Sequence, residues 1–353
     1  MFRTRALAVA SSVLAPGDLE RQTEEKRSVL PTCKVYRNGQ SSHGVAHLSE
    51  ISEVLKEEGS LVWLDVVDPG PNDLKLLQAE FDLHPLAVED AMHAHERPKI
   101  ESYDSYWFLV VQGTTLSEDN IIFHEIAIFA GTNFLVTVRH SPVYGLEEIE
   151  KRWHAHPEEL KRGAGFLLYT ILDTVVDGYL PVSQTFQDRV DELEEALFAG
   201  RSQDAEVLPR VFGMKKDAQR FRWAVLPMRD ILNPIIRQDL ELVGREDLAY
   251  FRDVYDHAVL VIDQLDTLRD LVNSALEIHL SVVANRQNDV SKQLTVIATI
   301  FLPLTFVTGF FGQNFAFLVG HIGGTDAFIG WGLGTELLTI GLTLGYFKWK
   351  GWF

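Results

Sequence analysis

Cysteine is almost absent: Cys33 stands alone in 353 residues. That excludes an internal disulfide and any cysteine-rich metal site, and it fits a reducing cytosol. Positive charge is also scarce. Lys and Arg total 32 against 50 Asp and Glu, a formal net charge of -18. Nucleic-acid binding needs basic stripes that neutralise phosphates, so that class is excluded. An acidic protein suits a partner of positive charge, although acidity also serves solubility. No Walker-type phosphate loop, catalytic triad or paired carboxylate pattern is present, which argues against an enzyme. Mean hydropathy is 0.00, too low for a chain that crosses a membrane throughout its length.

The apolar residues that exist are concentrated at the C-terminal end. One run covers 294–311 and a second covers about 327–347, with Gly312-Gln313-Asn314 and a nearly uncharged loop between them. Each is long enough to cross about 30 Å of hydrocarbon as a helix. Lys292 precedes the first run, Lys348 and Lys350 follow the second, and the connecting loop has no Lys or Arg. The positive-inside rule then places both termini in the cytoplasm. Trp331, Trp349 and Trp352 suit interfacial aromatic belts.

Upstream, residues 1–30 read as a flexible N-terminal extension, with a short apolar stretch that only imitates a signal peptide. Residues 31–160 read as a layered α/β domain. A buried strand is expected over 61–66, a helix over 72–79 capped by Asn72, and a helix over 85–93. Strands are expected over 103–115, 121–130 and 134–139, the last two joined at Gly131-Thr132-Asn133. Residues 161–244 read as cytoplasmic helices, over 163–199, 204–226 and 229–242. Residues 245–293 form the cytoplasmic part of a stalk helix, and 294–353 the two-span membrane domain. From 245 to 311 there is no Gly before Gly309 and no Pro before Pro303. A helix of that length would reach roughly 90 Å.

A stripe runs along that helix. Glu277, Ser281, Ala284, Asn288, Ser291, Thr295, Ala298, Leu302, Thr305, Gly309 and Gly312 recur in steps of four and three, a period of about 3.5 that marks a bundle seam. The residues are small or polar where the span should be most apolar. Several copies around an axis can turn such a stripe toward water, although small residues also suit plain helix packing. Mg2+ sheds its waters reluctantly and prefers oxygen ligands. Neutral oxygens of Asn288, Thr305 and Asn314 could hold a hydrated ion without trapping it, and Leu294 and Leu302 could form a constriction that gates by dewetting. A membrane potential supplies about 4.6 kcal/mol to a 2+ ion per 100 mV, so no nucleotide hydrolysis is required.

Two stretches carry a family resemblance. Leu294-Thr295-Val296-Ile297-Ala298-Thr299-Ile300-Phe301-Leu302-Pro303-Leu304-Thr305-Phe306 and Gly309-Phe310-Phe311-Gly312-Gln313-Asn314-Phe315 resemble the CorA family of magnesium and cobalt channels. So do Tyr255-Asp256-His257, His84-Pro85-Leu86-Ala87-Val88-Glu89-Asp90 and Arg97-Pro98-Lys99. The similarity runs from about Cys33 to the end. It implies a funnel-shaped homopentamer in the cell inner membrane, with an α+β cytoplasmic domain, a long stalk helix and two transmembrane helices. The first span would line the pore and the second would surround it toward lipid. The resemblance further implies that Glu89, Asp90 and Asp253 bind regulatory Mg2+ between subunits, so that internal Mg2+ closes the pore. Transported ions would be Mg2+, with Co2+ and Ni2+ tolerated.

Departures from the family pattern are specific. Gln313 replaces the usual Met of Gly-Met-Asn, and residues 315–324 hold no carboxylate, only His321. Glu336 lies inside the second span, where a charge costs about 2.5–3.5 kcal/mol. A proton-linked role for Glu336, a neighbouring hydroxyl as partner, or a shifted span would each accommodate it. These features keep open a proton-coupled Zn2+ transporter of the ZntB type, and a non-conducting metal sensor. His93 with His95, and His154 with His156, are too few to form a zinc site.

Overall fold

A computed structural model describes residues 32–42, 51–93, 96–117, 120–141, 146–155, 159–198, 204–313, 315–321 and 323–351. The N-terminal extension, His95, His156 and Asn314 lie outside these described residues.

Strands β1 (Thr32–Arg37), β2 (Gln40–Ser42), β3 (Ser60–Val67), β4 (Lys99–Ser102), β5 (Tyr106–Ser117), β6 (Asn120–Gly131) and β7 (Phe134–Arg139) form one sheet in the order β2-β1-β3-β7-β6-β5-β4. All neighbours are antiparallel except β3 and β7, which run parallel with Leu64 beside Val136. The expected strand and hairpin are present, each within a few residues. β1, β2 and β4 were not foreseen: they are short or carry polar residues that dilute alternation.

Alternation assigns the two sheet faces. Val62, Leu64, Val66, Phe108 and Val110 point to one side and join a core with helices α1 (Ile51–Val54), α2 (Pro71–Phe81) and α3 (Pro85–Met92). Leu61, Trp63, Leu109 and Val111 point to the other. That face is covered by α4 (Glu147–Ala155), α5 (Ala164–Asp177), α6 (Tyr179–Phe198), α7 (Asp204–Ile236) and the first part of α8 (Leu248–Phe311). The sheet therefore lies between two helical layers, and its second face shares one core with helices far downstream.

Local chemistry corrects several boundaries. α2 starts one residue before Asn72, with Gly70 as its cap and Pro71 in its first turn, because the Asp73 carboxylate accepts the Gly70 N–H at 2.9 Å. The helix expected over 163–199 breaks at Gly178, whose carbonyl accepts the Thr114 hydroxyl of β5 at 3.0 Å. The helices expected over 204–226 and 229–242 are one element: α7 continues through Pro227 to Ile236. Ala224, Val225, Met228 and Ile231 are buried around that proline, and this packing outweighs the lost backbone bond. Gly165 permits a close crossing, since a Cβ there would lie 2.3 Å from the Leu242 carbonyl oxygen.

Two ion pairs brace this unit. Asp65 on β3 accepts Arg139 of β7 through both oxygens, at 3.0 Å from Nε and 2.5 Å from Nη2, and also the Thr137 hydroxyl at 2.7 Å. The Asp65 and Arg139 side chains are only 12% and 8% exposed. At the start of α8, Asp247 accepts Arg162 at 2.8 Å, and the guanidinium lies over Phe166 and Tyr250. Burial pushes the Asp247 carboxyl above its ordinary value of 3.8, and the charge of Arg162 only partly opposes this. A raised carboxyl binds its proton more tightly when folded. Its contribution to stability is therefore complete below the ordinary value and is lost as pH rises through the raised one. Asp247→Asn keeps an acceptor for Arg162 without a titration. Its melting temperature should fall less steeply across that window than that of the parent, and parallel profiles would contradict this account.

The remaining described residues, 197–198, 204–208 and 274–351, form a second compact unit. It holds the rest of α8, a short helix α9 (Ala316–His321) and α10 (Thr325–Trp349), whose turns over Phe328–Leu333 are π-helical. Among the described residues three helices are long and apolar enough to cross a membrane. One, spanning α5 and α6, has 61% of its apolar window buried and belongs to the core above. The windows in α8 and α10 are 0% buried.

Candidate cation pathway

Every stripe residue from Glu277 to Gly312 falls on α8 or its first following turn, and each is exposed. Exposure alone does not select a face here, because most of this segment is open in a single chain. The half-buried positions do: Val296, Ile300, Pro303 with Leu304, Val307 and Phe311 recur about once per helical turn. At ~100° per residue they lie about 180° from the stripe. The covered side thus carries bulky apolar residues, and the stripe of small and polar residues is open, flanked by the exposed Ile297, Phe301, Phe306 and Phe310.

The hydroxyls on this segment have a common orientation. Thr295 donates to the Ser291 carbonyl at 2.8 Å, Thr299 to Thr295 at 2.7 Å, and Thr305 to Phe301 at 2.8 Å. Each hydroxyl hydrogen is spent inside the helix, so the oxygen presents lone pairs outward. Pro303 has no N–H for the Thr299 carbonyl, which adds a further acceptor to the same region. Acceptors without donors match the O–H groups that a hydrated cation turns outward. Leu294 and Leu302 are 67% and 76% exposed, so two large apolar side chains interrupt the polar stripe.

At the C-terminal end of α8, Gly312 N–H donates to Thr308 at 2.9 Å and Gln313 N–H to Phe310 at 3.3 Å. A Cβ on Gly312 would lie 3.0 Å from the Thr308 oxygen, so the turn is tight there. Gln313 is exposed. Glu336 is half-buried near the middle of α10, on a side that also carries Thr335, Thr339 and Thr343. Their hydroxyls also bond back to carbonyls of their own helix.

The three regulatory candidates occupy two elements, Glu89 and Asp90 on α3 and Asp253 on α8. Glu89 is exposed on α3, and Asp253 is exposed on α8. Asp90 is half-buried and accepts Lys99 Nζ at 2.6 Å; the same ammonium reaches Glu101 at 2.8 Å. Lys99 therefore competes directly with any cation for Asp90. Among the described residues no three His, Cys, Asp or Glu side chains of one chain come together to hold a metal. Around Asp253 the structure adds residues that sequence reading missed. Arg152 bridges Asp173 at 2.8 Å and Asp177 at 3.0 Å. Burial first, then the charge of Asp177, pushes the Asp173 carboxyl up; Asp253 adds to this and Arg152 opposes it. No local signal marks Asp173, since it feels the Asp253 charge only through the packing of α5 on α8, or Asp177, which lies 3.8 Å from His257 of α8.

The histidine pairs take structural roles as far as they are described. His93 Nδ1 bonds the Glu89 carbonyl at 2.9 Å, and His154 meets the Tyr36 hydroxyl at 3.2 Å. Burial raises the Cys33 thiol to about 11, which leaves it unreactive at neutral pH.

Residues 58–349 match the family model described as CorA-like Mg2+ transporter protein. The Bacillus subtilis protein YfjQ is 33% identical over 303 residues, covering 86% of this chain and 93% of its own. The cobalt/magnesium transport protein CorA of Thermotoga maritima is 29% identical over 314 residues, covering 86% of this chain and 87% of its own. The fold is similar to the complete structure of the CorA magnesium transporter from Methanocaldococcus jannaschii. The TM-score is 0.75 at 24% identity, over 91% of this chain and 98% of that one. A sheet between two helical layers, a 64-residue helix followed by the Gly312-Gln313 turn, and a match over residues 58–349 together make this chain a member of the CorA-like Mg2+ transporter family.

Proposed function

We propose that the chain is the subunit of a divalent-cation channel of the cell inner membrane. Five copies surround an axis as a homopentamer, α8 lines the pore and α10 faces lipid. Both termini are cytoplasmic, and the membrane potential drives Mg2+ inward, with Co2+ and Ni2+ also carried. The observation that carries this reading is the open stripe of small and oxygen-bearing residues on α8, opposite its half-buried face. One helix gains nothing from such a stripe in hydrocarbon, whereas a ring of them presents oxygens to a hydrated ion. The names of the relatives support magnesium and cobalt as cargo. Cytoplasmic Mg2+ closes the pore by bridging Glu89 and Asp90 of one subunit to Asp253 of the next, because carboxylates from two chains repel until a cation lies between them.

Glu336 favours a second reading, proton-coupled Zn2+ transport, since a half-buried carboxylic acid in a span can carry a proton. Reconstitution in liposomes separates the two. Mg2+, Co2+, Ni2+ and Zn2+ entry is followed with an internal dye, with and without a potential and a pH gradient. Potential-driven Mg2+ entry that Asn314→Ala abolishes supports the channel. Zn2+-only entry that needs a proton gradient overturns it. Glu336→Gln should leave the pH dependence of flux unchanged if the channel reading holds.

A further inference from the structure

A cavity of about 960 Å³ lies within the α/β unit and is lined mostly by positive charge. Its walls come from the start of β6, the end of β7, the middle of α7 and two residues of α8. Arg97, Lys215, Arg220, Arg222 and Arg269 line it, and Glu125 is the one carboxylate among its lining residues. Five cations against one anion in a single concavity contrast with the net charge of -18 of the whole chain. Similar charges brought together lower stability unless a ligand offsets their repulsion.

Some of that charge is already shared. Arg222 donates to Asp266 at 3.1 Å, and Arg269 lies 3.7 Å from Asp266 and 3.3 Å from Asp270. Glu125 accepts the amide of Gln112 at 3.1 Å. Lys215 reaches only the neutral Asn273 oxygen, at 3.3 Å, and is exposed. The other wall is apolar and aromatic. Arg220 lies over the Phe123 ring at 5.5 Å, Trp223 is 43% exposed, and Ile122 and Leu226 continue the surface.

A simple inorganic anion would use the cations and leave this wall wet. A neutral aromatic would do the reverse. We infer that the cavity binds a nucleoside polyphosphate, the phosphates on Lys215, Arg222 and Arg269 and the base against Trp223 and the Arg220 guanidinium. Guanidinium groups fork onto phosphate oxygens, and exposed indole and guanidinium planes stack on bases. The volume falls at the upper end of small-molecule sites, about 300–1,000 Å³. This assignment stands whether or not the chain conducts ions.

The test is calorimetric titration of the full-length protein in detergent with ATP, with and without Mg2+, and with tripolyphosphate and adenosine separately. ATP should bind, and each half-ligand should bind at least about tenfold more weakly. Lys215→Glu should weaken ATP by about tenfold or more, and Trp223→Ala should bring ATP close to tripolyphosphate. Both residues are exposed, and a melting curve on each variant confirms folding. Absence of ATP binding at millimolar concentration overturns the inference. So does tripolyphosphate binding as tightly as ATP, or unchanged affinity in both variants.

Discussion

Thr305→Lys should reduce Mg2+ entry into liposomes by roughly a thousandfold or more, while Thr305→Ser stays close to the parent. Thr305 lies on the open side of α8, and its oxygen turns lone pairs outward. In the proposed ring each subunit would place an ammonium at that level of the pore. Two unit charges 4 Å apart repel by about 4 kcal/mol at an effective dielectric of 20, and a divalent ion doubles that. Each 1.4 kcal/mol of barrier is about tenfold in rate, so even one lysine accounts for the expected loss. Serine keeps the hydroxyl and its internal hydrogen bond. Flux is measured with an internal Mg2+-sensitive dye at a fixed potential, alongside a check that oligomer size is unchanged. Undiminished entry through the lysine variant would mean that this stripe does not line the pathway.

Arg139→Leu should destabilise the α/β unit by about 3–5 kcal/mol, because it strands the buried Asp65 carboxylate without its countercharge. That is a large share of the roughly 5–15 kcal/mol by which a domain is stable. The double variant Asp65→Leu with Arg139→Leu should recover much of the loss, since burying two apolar groups costs less than burying one lone charge. Urea unfolding followed by near-ultraviolet circular dichroism reads both. A single variant within about 1 kcal/mol of the parent would show that the pair holds nothing together.

Much of the fold was legible from local rules. The Gly131-Thr132-Asn133 turn places β6 against β7, and Pro85 marks the start of a helix. The long run without Gly or Pro predicts α8, and the 3.5-residue stripe marks the side of it that stays open. Other features rest on partners distant in sequence. Whether Pro227 ends a helix depended on the core around it, and α7 runs on. Gly178 interrupts a helical pattern because Thr114, 64 residues earlier, takes its carbonyl.

The sites divide in the same way. The stripe, the Gly312-Gln313 turn and Glu336 in the middle of the apolar α10 are properties of single helices, which a linear pattern can show. Asp173 within the field of Asp253, Lys99 occupying Asp90, and five cations gathered in one cavity depend on which elements pack together. By itself the sequence determined the α/β layers, the stalk, the two apolar helices and the polar line along the first, because spacing along a chain sets which side chains share a face. Tertiary structure alone decided the parallel pairing of β3 with β7, the charge neighbours of the candidate regulatory carboxylates and the cationic cavity. Those arise from contacts between residues tens of positions apart, where burial and charge pairing, not local propensity, decide the outcome.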